Sequence, residues 1–289
     1  MKRSRVDYEE DLDGFPKIDQ FNFIDMGTQV EPQMSTYYIE KEVSLQNVKA
    51  KYQPAVDEVK ERVLALTEKI HSLYLYGSVA TGKAKSPTSD LDILVVMQEP
   101  LAEELNRKFV ELGGKLSQKY EELFREVGIG VTDVGEVLHG DDPLGWRFFM
   151  QVLCVKLHGD DLYDEVERFQ PTTQLARELQ SDLSRVLKSA ITKIETHSGF
   201  RQKLAIRAAM KKIIRAAFGL VMERENYWTV DLSKMKEIFC KHYAERAEAM
   251  DEVQKLLHEE EPSSFRAIVL IKQFGSWLEI GLLEQEPTF

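Results

Sequence analysis

Gly77-Ser78, an eleven-residue spacer and then Asp90-Leu91-Asp92 at the head of the apolar run Ile93-Leu94-Val95-Val96 form the stretch of this 289-residue chain best equipped for chemistry. Along a strand, residues two apart share a face at a spacing of roughly 6.6 Å, so Asp90 and Asp92 point one way and Leu91 and Ile93 the other. Two carboxylates at that distance repel by on the order of 2 kcal/mol at an effective dielectric of about 20. Hard divalent cations relieve such repulsion. Mg2+ binds through one or two carboxylates plus substrate phosphates, and a pair of such ions clamps the attacking and leaving oxygens of an in-line phosphoryl displacement. Gly77 supplies the matching half, because a residue without a Cβ lets backbone N–H groups close on a phosphate. The Ser78 hydroxyl can donate to the same oxygens. Lys83 and Lys85 follow in a polar loop; they could neutralise phosphate, although lysines in such loops are usually just solvated.

The elements that must hold these groups are legible from periodicity. Leu73 to Tyr76 reads as a short buried strand closed by the Gly-Ser turn, and Leu91 to Met97 as a second strand. Val48, Tyr52, Val56, Val59, Val63, Leu66 and Ile70 are helically spaced, which predicts an amphipathic helix over 45–70 leading into the first strand. A helical stretch over 101–125 precedes the alternating segment Val127 to Val137, as a βαβ-like unit requires. Gly140-Asp141-Asp142-Pro143-Leu144-Gly145 then breaks the pattern.

At these residues the chain resembles the DNA polymerase β-like nucleotidyltransferase superfamily. That pattern is a hydrophobic residue, Gly, Gly or Ser, a spacer of this length, then Asp, an apolar residue, and Asp or Glu. Either half alone is a weak signal; both together, each flanked by a strand-type run, are a strong one. The resemblance implies transfer of a nucleoside monophosphate from an NTP, with Asp90 and Asp92 as catalytic ligands of Mg2+ or Mn2+ and with Gly77 and Ser78 on the triphosphate. It also implies a third carboxylate on a neighbouring strand, as metal ligand or as base. Asp133 is the first candidate, since an Asp inside a β-branched run contradicts local propensity and such contradictions gather at functional sites. Glu136 is the reserve, because strand boundaries read from sequence slip by several residues.

Composition bounds the remainder. Hydrophobic residues make up 43% of the chain, enough for two cores, and the net charge is −11. Strong acidity argues against wholesale binding of long duplex nucleic acid, which needs a basic surface. Cys154 and Cys240 are the two cysteines, too few for a disulfide framework, so a reducing cytoplasm is the expected setting. No apolar stretch approaches the length of a membrane span, and no secretory leader is visible at the start. The expected organisation is a polar N-terminal extension over 1–45, an α/β nucleotidyltransferase domain with a small mixed sheet over 46–142, and an α-helical bundle over 143–289.

In the second half, helical signals run over 174–196, 201–225, 232–257 and 265–283, with 148–157 a short apolar segment. Lys203, Arg207, Lys211 and Arg215 form a slanted basic stripe beside the apolar face Ile206, Met210, Ile213, Ala217 and Leu220. In an acidic protein such a stripe invites a polyanion. It looks like the aminoglycoside adenylyltransferases, whose helical C-terminal domain closes the nucleotide cleft and adds basic groups to it. Arg207 and Arg215 are the expected triphosphate contacts, because a planar fork matches phosphate better than a point charge does. The segment Glu223 to Trp228 departs from that family, offering no counterpart for its later basic residue. No His stands four to six residues after an Arg, so the ribonuclease pattern of small helical toxin domains is absent.

The expected activity is metal-dependent transfer from ATP or another NTP to a hydroxyl on a small molecule, a tRNA end or a protein side chain, releasing pyrophosphate. A reading from a different class is a non-catalytic nucleotide-binding regulator or partner-binding module. The intact acid pair favours the enzyme.

Overall fold

The computed structural model describes residues 37–163 and 168–284. Strands β1 (Ile70–Tyr76), β2 (Leu91–Met97), β3 (Val127–Asp133) and β4 (Cys154–Gly159) form one sheet in the order β3-β2-β1-β4. β1 is antiparallel to β2 and to β4, whereas β2 and β3 are parallel, so the sheet is mixed. Helices α1 (Gln53–Leu64), α2 (Gly77–Ala80), α3 (Glu103–Lys119), α4 (Val134–His139) and α5 (Pro143–Phe148) accompany it. The helical region follows as α6 (Thr173–Leu179), α7 (Leu183–Thr196), α8 (Gly199–Gly219), α9 (Met222–Glu225), α10 (Leu232–His242), α11 (Ala247–His258), α12 (Ser264–Leu270) and α13 (Ser276–Glu284).

Both faces of the sheet are covered, which is why its central strands read as almost continuous apolar runs rather than as alternations. Leu73, Leu75, Leu91, Ile93 and Val95 pack against Val56, Val59 and Val63 of α1 and Phe109, Leu112 and Leu116 of α3. On the opposite face, Tyr74, Leu94 and Val96 meet Val137, Met150 and Cys154. Register is therefore fixed, since a one-residue slip would exchange the two sets. In the second core, α8 is the central member: Ile206, Ala209, Met210, Ile213, Ile214, Ala216 and Ala217 are all buried there.

Several boundaries differ from expectation, each for a local reason. The helix expected over 45–70 begins only at Gln53, where Pro54 occupies the first turn; proline lacks the N–H that an interior position needs. The strand expected over 127–137 stops at Asp133, whose carboxylate accepts the Glu136 N–H at 3.0 Å and so caps α4. The helix expected over 174–196 is two, α6 and α7. Lys212 fills the break, donating to Leu179 O at 3.4 Å and to Asp182 Oδ1 at 2.6 Å.

The apolar segment 148–157 ends in a strand rather than a helix. A π-helical turn over Phe149–Leu153 feeds β4, which pairs with β1. Short apolar runs do not distinguish helix from strand by period. The sheet thus takes its last strand from beyond residue 142.

The expected N-terminal extension lies over 1–36 outside the described residues, but 37–45 are integral to the fold. Ile39 is buried in the helical core and donates its N–H to Phe169 O at 2.8 Å. Val43, four positions on, is buried in the sheet core. Ser44 N–H donates to Ala80 O at 3.0 Å, and Glu42 Oε1 accepts the Val230 N–H at 3.0 Å. Among the described residues, no helix is long and apolar enough to cross a membrane.

Candidate functional site

Antiparallel pairing puts Tyr76 opposite Asp92, so the turn that ends β1 is carried directly onto the start of β2. Gly77 follows with φ +72, and a Cβ there would collide with Asp92 Oδ2. Two independent demands, a left-handed backbone and the neighbouring carboxylate, exclude any side chain at this position. Ser78 stands in α2 beside it.

Asp90 and Asp92 share a face, as their spacing requires, but their surroundings differ. Asp90 is gripped by Arg125, whose Nε donates to Oδ1 at 3.0 Å and whose Nη2 contacts Oδ2. Asp92 has no ion-pair partner among the described residues. Its carboxyl is pushed up to about 6, first by burial and then by the charge of Asp90; Arg125 and Lys211 oppose the shift and Glu126 adds to it. A half-buried acid pair in this state is what a divalent cation would relieve. The two carboxylates fit such an ion with substrate oxygens completing its shell; among the described residues no group of three or more His, Cys, Asp or Glu converges on one point.

The structure does not bring Asp133 to the pair. Asp92 lies beside Gly128 and Met97 beside Asp133, so Asp133 is displaced from Asp92 by five residues, roughly 16 Å of strand. Its carboxylate serves α4, and Glu136 stands in the first turn of that helix, at the same far end. The acid at the near end is Glu126. Leu91 N–H donates to Glu126 O at 2.9 Å, and the parallel register that pairs Leu91 with Val127 sets Glu126 beside Asp90. Because β2 and β3 are joined by a helical crossover, both run the same way and both begin at the same edge of the site.

Across the cleft, α8 presents Lys211 and Arg215. Lys211 is lowered below the usual lysine range by burial in the cleft and by Arg215, Arg125 and Arg207, with Asp90 pulling the other way. Arg215 is accessible to water, yet enclosure by surrounding protein lowers its guanidinium as well. Arg207 is turned elsewhere: its Nη2 donates to Glu259 O at 3.5 Å, in the segment after α11. Lys203 lies two four-residue steps before Lys211, roughly 12 Å along the helix. Lys83 is engaged with Asp231 at 3.3 Å and Glu42 at 3.8 Å, tying the loop after α2 to the helical region.

A cleft of about 430 Å³ opens on the Asp92 face, lined by Tyr76, Leu94, Gly130, Trp146, Phe149 and Asp142 among others. Tyr76 and Phe149 meet edge to face at 5.0 Å, and Trp146 and Phe149 at 6.2 Å. Burial, and then the charge of Asp92, push the Tyr76 hydroxyl up to about 12. Among the described residues, neither Lys nor Arg lines it.

Residues 56–127 match the family described as nucleotidyltransferase domain. The matched stretch runs from α1 through Gly77, Ser78, Asp90 and Asp92 to the first residue of β3, so it includes Glu126 and ends before Asp133. No curated protein matches the chain in sequence. Among solved structures, spectinomycin adenyltransferase AAD(9) from Enterococcus faecialis, with ATP and spectinomycin, is similar at 16% identity and a TM-score of 0.48, covering 78% of this chain and 99% of that one.

Proposed function

We propose that this chain, whose residues 56–127 match the nucleotidyltransferase domain family, transfers a nucleoside monophosphate from ATP to a hydroxyl group of a small molecule. The observation that supports this best is the convergence of the Gly77 turn on Asp92 and of Lys211 of α8 on the Asp90 and Asp92 pair. Gly77 N–H and Ser78 Oγ orient the triphosphate from the sheet side, and Lys211 and Arg215 offset its charge from the helical side. Asp90 and Asp92 would hold Mg2+ or Mn2+. When bound, such an ion withdraws charge from the phosphates and favours the displacement.

The acceptor oxygen forms a bond to the α-phosphorus, the bond from that phosphorus to the bridging oxygen breaks, and pyrophosphate leaves with the bonding pair. Glu126, the acid beside Asp90 just before the next strand, takes the hydroxyl proton. The aromatic cleft holds the acceptor. Its aromatic lining, with the acid Asp142 beside it, suits a small ring system that stacks on Tyr76, Trp146 and Phe149.

Incubation with α-labelled ATP, Mg2+ and a panel of small hydroxyl compounds, tRNA and protein tests the reading. Label should pass to a small molecule with pyrophosphate released in equal amount. Absence of both transfer and pyrophosphate across the panel would overturn it.

A further inference from the structure

Arg125 takes both oxygens of Asp90, one through Nε at 3.0 Å and the other through Nη2. The fork takes one acceptor site on each Asp90 oxygen, about half of what a carboxylate offers, and its positive charge repels a cation approaching the rest, so a cation binds Asp90 best once Arg125 lets go. Arg125 is free to do so. Its side chain is 45% exposed, while its backbone is anchored by the Arg125 N–H donating to Ser89 O at 3.0 Å. The guanidinium can swing about a fixed Cα. Its charge reaches Lys211 on α8, so the fork already stands near the basic pair expected to face the triphosphate.

We propose that Arg125 is a placeholder for the cation: it holds Asp90 while no nucleotide is bound, yields it when cation and triphosphate arrive together, and then joins Lys211 and Arg215 on the phosphate oxygens. This rests on the reading of Asp90 and Asp92 as cation ligands. The exchange is favourable for a simple reason. Asp90 is 24% exposed and Arg125 45% exposed, so water and salt screen part of their attraction, and the released guanidinium gains a new anionic partner only if the triphosphate is present. Cation and nucleotide binding are thereby coupled, and coupling acts equally on both.

The test uses the full chain without nucleotide, titrating Mn2+ by electron paramagnetic resonance, and then titrating inorganic tripolyphosphate by calorimetry in the presence of Mn2+. Arg125→Gln should bind Mn2+ about tenfold more tightly than the wild type and tripolyphosphate about fivefold more weakly. Arg125→Lys, which keeps the charge and loses the fork, should fall between. Opposite signs for the two ligands are not what general damage to the fold produces. If Asp92→Asn abolishes Mn2+ binding and Arg125→Gln leaves it unchanged or weaker, the placeholder role is wrong and the cation site stands. If neither wild type nor Arg125→Gln binds Mn2+, both fall.

Discussion

On the sheet side of the cleft, position is dictated by backbone. Asp92 lies where it does because Tyr76 pairs with it and because Gly77 leaves room for its carboxylate. On the helical side, position is dictated by rotation: Lys203, Arg207, Lys211 and Arg215 occupy one stripe of α8, and successive members turn about 40° around the axis. One end of that stripe faces the acids, while Arg207 reaches the carbonyl of Glu259. Strand pairing brings residues distant in sequence into fixed opposition. A helix fixes only neighbours on itself, and what it faces depends on the packing of its other side.

The largest expected effects separate the acids on the sheet wall. Asp92→Asn should lower transfer by three orders of magnitude or more, and Glu126→Gln by about a hundredfold or more if it is the proton acceptor. Asp133→Asn should leave transfer unchanged. A steady-state assay with labelled ATP ranks them, and a strong effect at Asp133 would mean that the register of β3 does not define the site. On the helical wall, Lys211→Ala and Arg215→Ala should each weaken ATP binding about tenfold, since a charge-assisted contact is worth about twice a neutral one. Arg207→Ala should leave ATP affinity intact. Calorimetric titration that ranked Arg207 above the other two would reverse the assignment of the stripe.

A smaller effect concerns the cost of keeping Asp92 ionised. Its carboxyl stays protonated up to about 6 in the folded chain, but ionises near 3.9 when unfolded. The folded state therefore binds the extra proton, and the stability this gives is complete below about pH 4 and lost as pH rises through about 6. In EDTA, Asp92→Asn should accordingly be more stable than the wild type by on the order of 3 kcal/mol above pH 7, with the difference vanishing near pH 4. Thermal unfolding at the two pH values reads it directly. The smallest effect belongs to Asp133→Ala, which removes the cap of α4 at a cost of about 1 kcal/mol and should be visible in the same melts.

Much of the sheet wall was legible in sequence. The strand over Leu91–Met97 and the same-face placement of its acids follow from apolar runs and a two-residue period. The structure sets Asp133 five residues along the strand from the partner of Asp92, a displacement the reading by oddity within a strand did not weigh, because it ignored strand direction. A helical crossover implies parallel strands, and parallel strands place the residue before β3, Glu126, beside the residue before β2, Asp90. That inference needed nothing beyond the sequence. The contact of Arg207 was not legible in the same way, because its partner Glu259 lies 52 residues on, after α11, where no local pattern encodes the packing. β4 was missed because Cys154 to Leu157 is too short an apolar run to show a period.

The segment from Ile39 to Ser44 has a consequence for how the molecule melts. Ile39 is rooted in one core and Val43 in the other, and Lys83 bridges to Glu42 and Asp231 alongside. Neither core can be dismantled without exposing an anchor of the other. Heat should therefore bring down sheet and bundle in a single calorimetric peak. A chain trimmed to start at residue 46, losing both anchors, should show two.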